Sequence, residues 1–207
     1  MARGRAPGYD DQRDMILSRA AQLFAQRGYP GTSMNEVAEA CGMSKPSLYH
    51  YFRDKYALLV TIAESHVEHL ETVVMEVMET KADARARLER LILRFVEEYA
   101  EAQHAHRVLT EDVRFLNDED RERILDRERR VVGVFSDAIR ALRPDIDQAR
   151  LATPLAMLLF GMINWMFTWL KPDGALNHAA MAPVVADLFF GGIPAVRMPG
   201  ADAEKLA

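Results

Sequence analysis

The chain has 207 residues, 49% hydrophobic and 28% charged, which excludes a disordered or fibrous protein and allows one mid-sized core or a small module joined to a larger one. Its net charge of −5 excludes a general coat for nucleic acid, but residues 1–60 carry eight Lys/Arg against six Asp/Glu and the remainder eighteen against twenty-five, so only the N-terminal part tolerates a polyanion. The single cysteine, Cys41, excludes an internal disulfide framework and fits a reducing cytoplasm.

Residues 1–11 lack the apolar run of a secretory signal and read as a flexible basic arm. Ile16, Ala20, Leu23 and Phe24 then fall on one face of a first helix that stops at Gly28, and Pro30-Gly31 forms a turn. Ser33-Met34-Asn35-Glu36 has the form of a capping box and starts a short second helix with Val37, Ala38 and Cys41 inward. Gly42 supplies a sharp turn, and Ser44 with Pro46 opens a third helix on which Leu48 and Phe52 share the inner face.

Asp54 is expected to cap a long fourth helix to about Thr80, with Leu58, Ile62, Leu70, Val74 and Val77 inward. Further helices are expected over 84–103, around 108–116, over 118–142, over 148–170 and from His178 to about Phe190, the last two separated by Lys171-Pro172-Asp173-Gly174. Leu151–Leu170 has about the length of a bilayer span, yet Pro154, Gly161 and Asn164 interrupt it, so burial in a helical protein is the expectation. No sustained strand alternation is visible, and the fold class is all-α with about nine helices. The expected division is a helix-turn-helix domain over 12–55, a larger ligand-binding and dimerisation domain over 56–193, and a disordered tail over 194–207.

Two short helices around a glycine turn, packed on a preceding helix, can place the second in a major groove. With Leu48 and Phe52 inward, Lys45, Pro46, Tyr49 and His50 point outward, flanked by Ser44 and Ser47. Lys45 suits a phosphate or guanine edge, the hydroxyls suit phosphate, and Pro46 can meet a thymine methyl. Thr32 and Ser33 at the second helix's start, and Lys55 at the fourth's, are candidate phosphate contacts.

The run Gly42-Met43-Ser44-Lys45-Pro46-Ser47-Leu48-Tyr49-His50-Tyr51-Phe52-Arg53-Asp54-Lys55, with Leu23-Phe24, Gly28-Tyr29, Thr32-Ser33 and Val37-Ala38 before it, resembles the TetR family over residues 12–60. The resemblance implies a homodimer that binds a pseudo-palindromic double-stranded DNA operator, most often as a repressor, and is released by a small-molecule effector. By family position Lys45, Ser47, Tyr49 and His50 contact DNA, and Thr32, Ser33 and Lys55 hold phosphates. Pro46 stands where the family often has glycine, so a backbone donor is missing there. The resemblance also implies pairing of the helices near 148–170 and 178–191 across the dimer. An effector that changes the separation of the two reading helices through residues 54–80 would be the switch.

Gly161-Met162-Ile163-Asn164-Trp165 followed by Trp169 is similar to regulators that sense acyl-CoA thioesters in fatty-acid, sterol or phenylacetate catabolism, and Thr110–Leu116 adds to it. The acyl part would lie among Met162, Trp165, Trp169 and Phe115, and Arg107, Arg114 or another Arg would meet the CoA phosphates. A hydrophobic drug-like ligand is the alternative within the family, and a helical protein-binding adaptor the remote one.

Enzymatic chemistry is not expected. His104 and His106 fall on different helical faces, and His-Glu-x-x-His, Cys-x-x-Cys, a Gly-rich phosphate loop and Gly-x-Ser-x-Gly are all missing from the sequence. His66 and His69, at i and i+3, could share a metal, although packed or solvated histidines are commoner. The expected protein is cytoplasmic, without cofactor, metal or membrane partner.

Overall fold

The computed structural model describes residues 8–147, 150–170 and 176–196, and every regular element among them is helical. They are α1 Tyr9–Arg27, α2 Met34–Ala40, α3 Lys45–Tyr49, α4 Lys55–Glu79, α5 Ala84–Glu101, α6 Gln103–Glu111, a 3-10 turn at Val113–Phe115, α7 Asp118–Leu142, a 3-10 turn at Pro144–Asp147, α8 Ala152–Asn164, α9 Met166–Trp169, α10 His178–Gly192 and a 3-10 turn at Ile193–Ala195. Most of the expected arm (1–7), the 171–174 turn, the 148 helix start and most of the expected tail (197–207) lie outside the described residues.

The chain forms two compact units, one of residues up to Glu68 with Ala102–Asp126, the other of His69–Glu101 with the residues from Arg127 on. In the first, Ile16, Ala20 and Phe24 of α1 meet Val37 and Ala38 of α2, Leu48 of α3, and Leu58, Leu59, Ile62 and Val67 of α4 in one buried cluster. Val108, Leu109, Leu116 and Ile124 complete it. Each such aliphatic side chain, taken fully out of water, contributes about 1.5–3 kcal/mol. This packing unit is therefore not coextensive with residues 12–55, because the first half of α4 and all of α6 bury their apolar faces in it.

The second unit is organised by rings: Phe95 of α5, Phe135 of α7 and Phe160 of α8 lie with centroids 4.9, 5.9 and 4.7 Å apart in edge-on pairs. Leu70, Val74 and Val77 of α4 and Val185, Ala186 and Phe189 of α10 join that cluster. The single helix expected over 148–170 is broken at Trp165, where α8 ends and α9 begins, and the helix expected near 108–116 runs instead as α6 and the 3-10 turn. Asn177 caps α10 by accepting the Ala180 N–H at 2.9 Å.

Along α8, α9 and α10 the inner faces are buried, whereas Met157, Leu158, Trp165, Trp169, Val184 and Leu188 are exposed within the single chain. By length and composition alone, 152–169 and 178–195 are apolar enough to cross a membrane. Their one-sided burial is equally that of soluble helices whose outer face meets another apolar surface.

Candidate nucleic-acid interface

Local chemistry fixes α2 and α3. Ser33 Oγ accepts the Glu36 N–H at 3.3 Å while Glu36 Oε2 accepts the Ser33 N–H at 2.8 Å, a reciprocal cap. The Ser33 hydrogen bonds, and then Arg27 at 2.6 Å, hold the Glu36 carboxyl below the usual carboxylate range. Gly42 sits at φ +63, a left-handed conformation that side chains resist, and this turns the chain from α2 into the approach to α3. Ser44 caps α3 by accepting the Ser47 N–H at 3.3 Å, and Pro46 lies in the first turn, where a missing N–H costs no helical bond.

With Leu48 and Phe52 buried, Ser44, Lys45, Pro46, Tyr49 and His50 are exposed and Ser47 is half-buried. The Lys45 ammonium stands 6.0 Å from the Tyr49 ring centroid. Lys45 and Tyr49 form one wall of an open cleft whose other side is Pro30 to Asn35 with Lys55. Tyr9 at the head of α1 stacks on Tyr51 at 4.8 Å, and the Arg13 guanidinium lies 5.2 Å from the centre of the Phe52 ring.

Two of the expected phosphate contacts are engaged within the protein. Thr32 is 2% exposed, and its hydroxyl donates back to the Gly28 carbonyl at 3.1 Å, so its side chain closes the α1–α2 turn. Lys55 Nζ donates to the carbonyls of Tyr29 at 2.8 Å, Pro30 at 3.4 Å and Thr32 at 2.7 Å. The Ser33 hydroxyl is likewise engaged, donating to Glu36 at 2.8 Å.

The six expected effector residues are not assembled in either unit. Arg107, Arg114 and Phe115 belong to the first, and Met162, Trp165 and Trp169 to the second. Phe115 packs on Tyr29 at 5.5 Å with Arg114 4.9 Å from its own ring, and Arg107 pairs with Glu111 at 3.1 Å. Trp165 and Trp169 are 66% and 51% exposed on the outer apolar face, and Met162 packs at the edge of the second core. His66 and His69 also part: His66 faces His106 at 3.4 Å, while His69 meets Glu98 at 2.6 Å. Among the described residues no cluster of three or more His, Cys, Asp or Glu could hold a metal.

Sequence reasoning missed the bracket around Tyr29. Its backbone neighbours the buried Asp112 carboxyl, whose pKa burial raises and the Tyr29 backbone then lowers, and its ring lies 5.4 Å from Phe24. Burial, then the charges of Asp54 and Asp112, push the Tyr29 hydroxyl up. Gly28-Tyr29 was visible as a motif, but nothing in the sequence pairs it with residues 112–115.

Residues 16–62 match the family model described as bacterial regulatory proteins, tetR family, and residues 81–193 the one described as tetracyclin repressor-like, C-terminal domain. A TetR-family regulator from Bordetella parapertussis superposes with a TM-score of 0.84 at 35% identity, over 91% of this chain and 99% of that one. AibR, crystallised with isovaleryl coenzyme A and operator DNA, gives a TM-score of 0.73 at 28% identity over 86% and 97%. Among curated relatives, the transcriptional repressor KstR2 of Rhodococcus jostii is 25% identical over 90% of this chain and 93% of its own. The transcriptional activator FasR of Mycolicibacterium smegmatis is 31% identical over 53% of this chain, which spans half of that relative's length.

Proposed function

Since the chain belongs to the TetR family of transcriptional regulators, DNA-binding proteins and not enzymes, we propose that it is a homodimeric repressor released from its operator by an acyl-CoA thioester. The observation that carries the DNA-binding part is the outward face of α3: Lys45, Pro46, Tyr49 and His50 exposed on a helix held by Ser44, Gly42 and the buried Leu48. Lys45 binds phosphate or a guanine edge, Tyr49 and His50 meet base edges or phosphate, and Ser44 and Ser47 flank them. Two such helices in a symmetric dimer reach major grooves about 34 to 36 Å apart or a multiple of that.

The subunit contact in this reading is the outer face of α8 to α10, whose exposed tryptophans and leucines need a partner. Repression is supported by the KstR2 relatives, and a thioester effector by AibR. A cytoplasmic location follows from the partner, a chromosomal operator.

Footprinting of the purified dimer on the intergenic region beside its own gene tests the first part. A protected, salt-sensitive inverted repeat is expected, and equal binding to random DNA would refute it. Titration with acyl-CoAs from isovaleryl to long-chain tests the second. Binding and release of operator by at least one is expected, whereas release by CoA-free hydrophobic compounds alone would replace the effector class.

A further inference from the structure

Lys55, half-buried, begins α4, and its ammonium is held by the protein's own backbone. Its three N–H donors meet three carbonyls of one turn, those of Tyr29, Pro30 and Thr32, at 2.8, 3.4 and 2.7 Å. Its charge also lies 4.4 Å from the centre of the Tyr29 ring. The Phe115 ring lies 5.5 Å from that of Tyr29, and the buried Asp112 carboxyl interacts with the Tyr29 backbone. Gly31 fits there only because it lacks a side chain: a Cβ would lie 2.6 Å from the Arg27 carbonyl oxygen. The turn runs directly into Ser33, the cap of α2.

We propose that Lys55 is a positioning residue for operator binding: it ties the start of α4 to the turn before α2, fixing the attitude of α2 and α3, and does not itself bind a DNA phosphate. This rests on the operator-binding reading above. A phosphate contact would require the ammonium to leave three carbonyls, and those would lose a charged donor as it did so. An Arg at 55 keeps the charge, but its planar fork cannot reproduce a point donor among three converging carbonyls.

The test compares Lys55→Met, Lys55→Arg and, as a phosphate-contact control, Lys45→Met, with operator affinity measured across a salt series and amide exchange followed over 29–33. Both Lys55 variants are expected to bind operator roughly ten- to a hundredfold more weakly, with the salt dependence unchanged and exchange faster at Gly31, Thr32 and Ser33. Lys45→Met should lower the salt slope by about 1 and leave that exchange alone. A slope reduced in Lys55→Met and restored in Lys55→Arg, with exchange unaltered, would overturn the proposal, as would undiminished affinity in both. Should Lys55→Met fail to fold, Lys55→Arg carries the same comparison. If the wild-type protein showed no operator preference, the functional reading would fail, while the exchange data would still decide whether Lys55 holds the turn.

Discussion

Gly31 shows how little room a single residue can have. The atom that would meet its Cβ is the backbone oxygen of Arg27, which cannot swing away as a side chain end does. Gly31→Ala is expected to destabilise the protein by about 1–3 kcal/mol in urea melts, from overpacking against backbone. Asp112 makes the complementary case. Burial raises its carboxyl pKa, so the folded state prefers the proton, and this contribution fades as pH rises through the raised value. Asp112→Asn removes the buried charge at nearly constant shape and is expected to be neutral or stabilising at neutral pH. Asp112→Ala also empties the space beside Tyr29 and should be the less stable of the two, both read from thermal melts.

At the scale of elements, what was legible was what is local. Ser33-x-x-Glu36, Gly42, Ser44 and Pro46 declare helix ends within four residues of themselves, and the observed caps fall on those residues. The inward positions expected along α4, Leu58, Ile62, Leu70, Val74 and Val77, are all buried, because a 3.6-residue period is a property of one segment. By contrast, the grip of Asp112 and Phe115 on Tyr29 joins segments distant in sequence, and no spacing rule reports it. The same holds for Lys55: its position in the motif suggested an exposed charge, and only the fold reveals the three carbonyls around it. Composition cannot tell the inner from the outer face of a helix that is apolar all round, so the exposure of Trp165 and Trp169 in the single chain is not legible in the sequence. Removing the reciprocal cap with Ser33→Ala is expected to cost about 0.5–2 kcal/mol, measured by urea unfolding.

For the whole molecule, acid sensitivity should originate in the first unit. His106 is buried against His66, and burial, then that neighbour, push its pKa down to about 3. A neutral imidazole is therefore built into the fold. The associated stability is present above the ordinary value of 6.5 and is lost as pH falls from there toward 3. Thermal midpoints of His106→Leu should consequently fall less between pH 7 and 5 than those of the wild type. On the outer face of the second unit, Leu158→Glu with Leu188→Glu should yield monomers in sedimentation while helicity is retained, since both side chains are exposed in the single chain.

That outer face has a consequence in the cell. If a second copy covers it, folding and association draw on the same equilibrium, and each tenfold dilution of subunits removes about 1.4 kcal/mol from the dimer. Copy number then sets occupancy of the operator twice, through binding and through the supply of paired subunits. A thermal midpoint that climbs with protein concentration is the expected signature, and a midpoint independent of concentration would separate folding from pairing.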